Sequence, residues 1–295
     1  MKSRYKLNEK QRKKERRETY RIKYRKFVIL ITIILLLLLI WGEFGEPNML
    51  VIRDYKIESQ GLPDSFNGVR IVHFSDLHYG LTKESRLEKI IDNINSLHPD
   101  IVVFTGDLVD LSYDLTDNDV KVLVKNLKNI NAKLGKYAIY GNHDVSNTYY
   151  DDIMYDAKIT VLKNNYDTVY NKTNEGILIY GIDDTLEGTP KINNINNKEA
   201  KNIKNRIILV HEPDYIDEFI NGYDASLVLS GHSHGIQVNI PGASLFSPKG
   251  SKKYYRANYE VSNTPLYISN GVGCSGINFR LFSVPSINLY RLYTE

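Results

Sequence analysis

The sequence contains a single cysteine, Cys274, among its 295 residues. One cysteine excludes an internal disulfide, and it also excludes a zinc site built from several thiolates. No internal repeat or low-complexity segment interrupts the chain beyond about residue 50. With 42% hydrophobic and 25% charged residues, the composition is that of an ordinary globular protein with a sizeable core. The fold is therefore expected to be held together by packing alone.

Acidic residues are scarce at the amino terminus. Residues 1–26 carry 13 Lys or Arg against three Glu, whereas the remaining chain has 25 basic and 32 acidic residues. The segment that follows, FVILITIILLLLLIW at 27–41, has no charge at all. As a helix it would be roughly 22 Å long, somewhat short of the roughly 30 Å hydrocarbon core of a bilayer. Tyr24 and Trp41, at its two ends, suit the membrane interface.

This pattern predicts a transmembrane signal anchor at 27–44 behind a basic cytoplasmic tail at 1–26. A cleaved secretory signal is an alternative, but no small-x-small cleavage site of the usual kind follows Trp41. Twin-arginine export, raised by Arg16-Arg17, is a weaker alternative. The excess of basic residues before the apolar run predicts a cytoplasmic amino terminus. We therefore expect a single-pass protein of the cell membrane whose catalytic domain is extracytoplasmic, and a tail that serves topology and not nucleic-acid binding.

Short apolar runs alternate with amphipathic stretches in the rest of the chain. Six runs predict buried strands because they are short, continuous and rich in branched residues. They are 69–74, 101–105, 137–140, 177–181, 206–210 and 225–230. Apolar residues at helical spacing predict helices around 87–97 and 120–134, whereas 236–240, 265–269 and 286–293 predict strands with no helix between them. The pattern indicates an α/β core with strand-rich additions.

Polar side chains follow five of these strands at the point where each strand ends. They are Asp76 and His78, Asp107, Asn142 with His143 and Asp144, His211, and His232 with His234. Each motif alone is more often a turn or a satisfied polar group, but all five share one structural position. Ligands bind outside the carboxyl ends of strands in open α/β sheets, so these side chains are expected to converge. The other two histidines, His73 and His98, are predicted to be structural.

The chemistry of this set indicates a centre with two divalent metal ions. Carboxylates, imidazoles and one amide oxygen, with no thiolate, suit manganese, iron or zinc. Two such ions roughly 3.5 to 4 Å apart can clamp a phosphoryl group and activate a water molecule. The sequence therefore predicts hydrolysis of a phosphate ester.

The motifs SDLHYG, TGDLVD, GNHD, VHEPD and SGHSHG, in this order, resemble those of the calcineurin-like metallophosphoesterases. The stretch HPDIVVFTGDLVD and the closing NGVGCSGINFRLFSVPSINLYRL resemble the bacterial membrane-associated branch of that superfamily, whose members act on phosphodiesters or lipid-linked sugar pyrophosphates. The resemblance implies a four-layer α-β-β-α sandwich of two mixed β-sheets at 67–295, after a linker and lead-in strand at 45–66.

The resemblance also implies a role for each candidate residue. One metal would be held by Asp76, His78 and His234. The other would be held by Asn142, His211 and His232, and Asp107 would bridge both ions. His143 would contact the phosphate and protonate the leaving oxygen, with Asp144 orienting its ring.

One departure from the family pattern and several alternatives remain at the level of sequence. Ile236 stands where the family often has a second glycine, so we expect a narrower pocket. Arg280 and the glycines of 270–276 are candidates for the pocket wall, although the glycines equally suit a tight turn. A cyclic-nucleotide or nucleotide phosphodiesterase, and a non-catalytic scaffold on the same fold, are the alternatives to an enzyme acting on a lipid-linked or cell-envelope substrate. The natural substrate, the metals and the oligomeric state stay open.

Overall fold

A computed structural model describes residues 2–192, 200, 202–240 and 247–295. Helix α1, Lys2–Ile40, continues into a π-helical turn, Trp41–Gly45, and a 3₁₀ turn, Glu46–Asn48. In the described part of the chain, this is the one helix long and apolar enough to cross a membrane, judged by length and composition. Most of its apolar side chains between Phe27 and Trp41 are exposed.

The described residues after α1 form twelve strands and four further helices. The strands are β1 (Val51–Ser59), β2 (Arg70–Phe74), β3 (Ile101–Phe104), β4 (Gly135–Ala138), β5 (Thr160–Val161), β6 (Asn165–Tyr170), β7 (Gly176–Gly181), β8 (Arg206–Leu209), β9 (Leu227–Ser230), β10 (Asn258–Val261), β11 (Thr264–Ile268) and β12 (Ser286–Thr294). The helices are α2 (Glu84–Ser96), α3 (Asp117–Lys128), α4 (Tyr150–Asp156) and α5 (Ile216–Phe219).

The strands are divided between two six-stranded sheets. The first sheet has the order β1-β12-β2-β3-β4-β5, and the second has the order β10-β11-β9-β8-β7-β6. In the first sheet all neighbours are parallel except β12 and β2. In the second, the central strands are parallel and the two edge pairs, β10 with β11 and β6 with β7, are antiparallel. Both sheets are mixed, as predicted.

Successive side chains along a strand point to opposite faces of the sheet, so they pack in different layers of the molecule. Ile101 and Val103 of β3 point into the core between the two sheets, where they meet Ile179 and Ile207 of the second sheet. Val102, the intervening residue of β3, belongs instead to the core beneath α2, α3 and α4. A third core lies between the second sheet and α5. Strands that are buried on both faces in this way need continuous apolar sequences. The two sheets with helices outside them confirm the predicted four-layer α-β-β-α sandwich.

A local signal explains where α3 begins. Thr116 caps α3 through a reciprocal capping box with Asp119, which satisfies backbone N–H groups of the first turn.

The prediction of a strand at 236–240 is wrong. Val238 makes only a single bridge, to Leu281, because the preceding residues His234, Gly235 and Ile236 have φ of 49°, 60° and 58°, which carries the chain off an extended path.

Candidate metal centre

The candidate residues lie in turns at the carboxyl ends of five strands. The first sheet carries the turns after β2, β3 and β4, and the second sheet carries those after β8 and β9. Because the sheets pack face to face, the two groups of turns meet at one end of the sandwich. The residues brought there are Asp76, His78, Asp107, Asn142, His143, Asp144, His211, His232 and His234.

One cluster joins Asp76, His78 and His234, all buried. The Nε2 atoms of His78 and His234 lie 3.1 Å apart, and His234 Nε2 is 3.3 Å from Asp76 Oδ1. Potential ligand atoms of these three residues lie within 4.8 Å of one another, so a single cation could contact all of them.

A second cluster joins Asp107, His211 and His232. His211 Nε2 is 3.3 Å from Asp107 Oδ2 and 3.2 Å from His232 Nδ1. The other ring nitrogen of His211 lies 2.5 Å from the carbonyl oxygen of Thr105, so we assign the Nδ1–H tautomer, which leaves Nε2 free to bind a metal. Asp107 Oδ2 is also 3.5 Å from His78 Nε2, which places this carboxylate between the two clusters.

Buried atoms without partners show that the site fits cations. Within the described chain, the buried Oδ1 of Asn142 has no hydrogen-bond partner, although a buried amide oxygen is normally satisfied. Two pairs of imidazole nitrogens, one pair in each cluster, face each other at hydrogen-bond distance. Oxygen and nitrogen donors that converge in this way suit a first-row metal ion.

The backbone is strained at most of these positions. A positive φ is uncommon outside glycine and marks functional sites when it persists in a folded protein. Five candidate ligands have a φ in this region: Asp76 (55°), His78 (46°), Asp107 (63°), His232 (64°) and His234 (49°). These residues lie two to four positions after the end of a strand, where the left-handed turns direct their side chains across the end of the sheet.

Electrostatics place Asp107 and His234 in the protonation states that metal ligands need. Burial opposes ionisation of Asp107, but the neighbouring His211 and His78 lower its pKa well below the usual value. Burial, together with His78 and Arg280, lowers the pKa of His234 well below its usual value. An ionised carboxylate and a neutral imidazole are the forms that coordinate metal.

His143 stands at the edge of the centre and faces a cavity. Its Nδ1 accepts the backbone N–H of Leu111 at 3.2 Å, so we assign the proton of the neutral ring to Nε2. Nε2 lies 4.0 Å from Asp107 Oδ2, and burial lowers the pKa of His143. The adjoining cavity has a volume of about 200 Å³, and Tyr113 and Tyr149 line it with His143. A neutral Nε2–H directed towards the centre suits a hydrogen-bond donor to an oxygen of the substrate.

Asp144 supports a loop instead of the imidazole. Its carboxylate accepts the backbone N–H groups of Asp107, Leu108 and Gly141, at 2.6, 2.8 and 2.9 Å. Among the described residues no hydrogen bond joins Asp144 to the His143 ring, which was its expected partner. Burial and the nearby Asp107 raise the pKa of Asp144 to about 7, whereas the three N–H donors favour its ionised form. Asp144 therefore fixes the turn that carries Asp107.

Two residues have roles that sequence reasoning missed or misjudged. Asp110 Oδ2 is 3.3 Å from His78 Nδ1, although not aligned for a good hydrogen bond; the second aspartate of TGDLVD was the available signal. Arg280 is fully buried, so it does not line an open pocket. It donates to the carbonyl oxygens of Asn270 and Ser283, at 2.8 and 2.9 Å, and lies 3.0 Å from His234 Nδ1.

The remaining positions flagged in the sequence are structural. His73 is fully buried and contacts Tyr290 Oη at 3.2 Å and Thr105 Oγ1 at 2.9 Å. Gly271 adopts a φ of 72°, and a Cβ there would lie 2.9 Å from the Cβ of Asp76, so this glycine permits a close approach. Ile236 is buried, 1% exposed.

Comparison with known proteins identifies the family. The family model described as calcineurin-like phosphoesterase matches residues 69–235. This chain belongs to that family. The calcineurin-like phosphoesterases bind divalent metals, and the chain is accordingly a phosphate-ester hydrolase with clusters of metal-binding residues.

Three relatives span most of this chain. An uncharacterized metallophosphoesterase, YkuE, of Bacillus subtilis is 32% identical over 258 residues, covering 85% of this chain and 88% of that protein. A transmembrane protein with metallophosphoesterase domain from Danio rerio is 31% identical, covering 86% of this chain and 60% of that protein. The UDP-2,3-diacylglucosamine pyrophosphatase LpxG of Chlamydia muridarum is 27% identical, covering 87% and 93%.

Proposed function

We propose that this calcineurin-like phosphoesterase is a membrane-anchored enzyme that hydrolyses a phosphodiester or pyrophosphate bond in a lipid-linked or cell-envelope substrate. The observation that carries the proposal is the position of Asp107, within 3.5 Å of an imidazole from each of two buried ligand clusters. A carboxylate shared in this way suits a bridge between two divalent cations. Manganese, iron and zinc all suit the donor set.

The proposed ligands divide between two cations that share Asp107. Asp76, His78 and His234 would hold one cation. Asn142, His211 and His232 would hold the other. When bound, the cations would polarise the phosphoryl group and supply an activated water molecule as the nucleophile.

The chain's own side chains complete the reaction. His143 would donate a hydrogen bond from Nε2–H to a phosphoryl oxygen or to the leaving oxygen as negative charge develops there, since its Nδ1 already accepts the N–H of Leu111. The leaving oxygen would take its proton from water. Asp144 would keep Asp107 in position through the backbone N–H groups it accepts. Most of the rate in phosphoryl transfer comes from such positioning and from charge stabilisation.

The choice of substrate class depends on the amino-terminal helix. We propose a basic cytoplasmic tail at 1–26, an anchor at 27–44, a linker with a lead-in strand at 45–66, and an extracytoplasmic catalytic domain at 67–295. An anchored centre would meet membrane lipids and envelope polymers before soluble nucleotides. The relative named as a pyrophosphatase of UDP-2,3-diacylglucosamine supports a lipid-bearing pyrophosphate as the substrate class.

The test is hydrolysis by the full chain in detergent micelles. Manganese-dependent cleavage of bis-p-nitrophenyl phosphate, faster than that of the monoester and lost in Asp107→Asn, is the expected result. Faster turnover of a lipid-linked pyrophosphate than of cyclic nucleotides would then fix the substrate class. The reverse preference would indicate a nucleotide phosphodiesterase, and no turnover with manganese, iron or zinc in a folded protein would contradict a catalytic role.

A further inference from the structure

The loop of residues 275–283, called the rim loop below, connects the metal centre with the end of α1. On one side, Gly276 N donates to Asp110 Oδ2 at 3.2 Å, and Arg280 lies 3.0 Å from His234. On the other side, the backbone N–H of Arg280 donates to the carbonyl oxygen of Gly42 at 2.9 Å. The same loop therefore touches a candidate ligand and the helix that is proposed to enter the membrane.

The end of α1 is docked onto the rim loop. Glu46 is 2% exposed, and its carboxylate accepts the backbone N–H groups of Phe282, at 2.9 Å, and of Ser283. It also accepts the indole N–H of Trp41 at 3.2 Å. A Cβ at Gly42 would overlap the ring of Phe279, so glycine allows the close contact between helix and loop. The helix end and the loop are thus fixed together.

Large apolar side chains project from this junction into solvent. Ile277 and Phe282 of the rim loop are 61% and 54% exposed, and Trp41 and Phe44 of the helix end are 48% and 65% exposed. Phe282 has a φ of 59°, a conformation that bulky residues rarely adopt, and Glu46 holds it there. Single exposed apolar residues are normal, but a group of four continuous with an apolar helix marks an interaction surface.

The position of Trp41 defines what this surface meets. Trp41 ends the uncharged run at 27–41, and tryptophan is typical of the membrane interface. Gly42, the next residue, is bonded to Arg280, and a helix rises only about 1.5 Å per residue. The rim loop therefore lies at the depth of the lipid headgroups whenever α1 spans a bilayer.

We propose that the rim loop rests on the bilayer, with Ile277 and Phe282 inserted among the lipid headgroups beside Trp41 and Phe44. The partner is a phospholipid surface. A phosphate attached to a lipid would then reach the metal centre without leaving the membrane, because the rim loop borders both. This inference rests on the proposed function, in which α1 is the anchor and the centre cleaves a phosphate ester.

The first experiment measures membrane contact and does not depend on activity. The full chain is reconstituted into phosphatidylcholine vesicles that contain nitroxide-labelled phosphatidylcholine, with an environment-sensitive fluorophore on Ile277→Cys or Phe282→Cys. Cys274 is 3% exposed, so the introduced thiol is the accessible one. Tyr155→Cys, at an 83% exposed position on α4, is the matched control. Trp41, the single tryptophan, serves as an internal probe of helix insertion.

We expect blue-shifted emission and nitroxide quenching for both rim-loop labels and for Trp41, and neither change for the Tyr155 label. Quenched Trp41 with unquenched labels at 277 and 282 would overturn the inference while leaving the anchor intact. Unquenched Trp41 would remove the anchor itself, on which the proposed lipid substrate also depends. Manganese-dependent hydrolysis of a soluble diester, measured on the same samples, reports the catalytic part of the proposed function separately.

The second experiment compares two diesters with the same leaving group, methyl p-nitrophenyl phosphate in solution and hexadecyl p-nitrophenyl phosphate in the vesicles. In the double variant Ile277→Ser/Phe282→Ser, turnover of the hexadecyl diester should fall about tenfold, because the rim loop loses the two apolar side chains that it would bury in the bilayer. Turnover of the methyl diester should not change, and Tyr155→Ser should affect neither. Equal losses on both diesters, or no loss on either, would contradict the inference.

Discussion

The two sheets contribute chemically different halves to the centre. The first sheet supplies its carboxylates and amide, Asp76, Asp107 and Asn142, together with His78, whereas the second supplies imidazoles alone. The orientation of one of these imidazoles depends on the first sheet, since His211 is directed by the carbonyl oxygen of Thr105. Neither half alone has the donor set that the proposed dinuclear centre needs. The contact between the sheets, and not either sheet alone, creates the site.

Removing the shared carboxylate should have the largest effect, because it breaks both halves at once. In Asp107→Asn we expect about a 10³-fold loss in kcat on bis-p-nitrophenyl phosphate, since a neutral amide cannot balance two cations. Bound manganese, measured by mass spectrometry of the protein after dialysis, should fall with it. Asp92→Asn, on the exposed face of α2, is the control and should keep both properties. Full activity in Asp107→Asn would exclude a bridging role.

Replacing His143 should separate stabilisation of the leaving oxygen from metal binding. In His143→Asn, turnover of a diester with an alkyl leaving group should fall about 10²-fold, because the developing alkoxide loses the hydrogen bond from the imidazole Nε2–H. The loss on a p-nitrophenyl diester should be much smaller, since that leaving group departs as a stable anion. Steady-state kinetics on both diesters at saturating manganese make the comparison. Equal losses would assign His143 to phosphate binding alone.

Replacing Asp110 tests whether a second carboxylate of the first sheet strengthens metal binding by His78, which follows a strand of the same sheet. In Asp110→Asn we expect manganese binding to weaken about tenfold, because His78 loses the carboxylate facing its Nδ1. Titration calorimetry of the chelator-treated chain gives the affinity. Asp114 is exposed and lines the cavity beside His143, as Asp110 does, so Asp114→Asn is the control and should bind manganese normally. Identical affinities in the two variants would assign Asp110 to the fold only.

Side chains packed between the two sheets should affect the affinity for manganese more than side chains packed outside the sheets. Ile179→Ala, in the core between the sheets, and Ile94→Ala, in the core under α2, should each lower the free energy of unfolding by about 2–4 kcal/mol. Only Ile179→Ala should also weaken manganese binding, by a few-fold, because it loosens the contact that joins the two halves. Chemical denaturation and calorimetry together test this. Equal metal affinities would show that the sheets hold their register without that side chain.

The central strands could be predicted from sequence because their apolar runs are buried on both faces, and their polar ends share one edge of a sheet. The edge strands β6 and β10 were not predicted, since Asn165–Tyr170 and Asn258–Val261 alternate exposed and buried residues and pair only in hairpins. The contacts of Asp144 could not be predicted either, because they go to backbone amides in the turn of a different strand.

The position of Arg280 is a further feature that could not be predicted from sequence. Its sequence context, near several glycines, favoured a place in the pocket wall. The fold instead turns it inward against carbonyl groups and His234, and only the docking of the rim loop decides between these positions.

The first and last strands of the catalytic fold are neighbours. β12 lies between β1 and β2, and β1 pairs with it in parallel along all nine residues from Val51↔Ser286 to Ser59↔Thr294. During synthesis, β1 would emerge soon after α1 and long before its partner β12 exists, and pairing of such distant segments is slow. The rim loop is translated just ahead of β12. The first sheet is thus complete only after β12 has been translated, so ribosome stalling before that strand would leave a chain without an active fold.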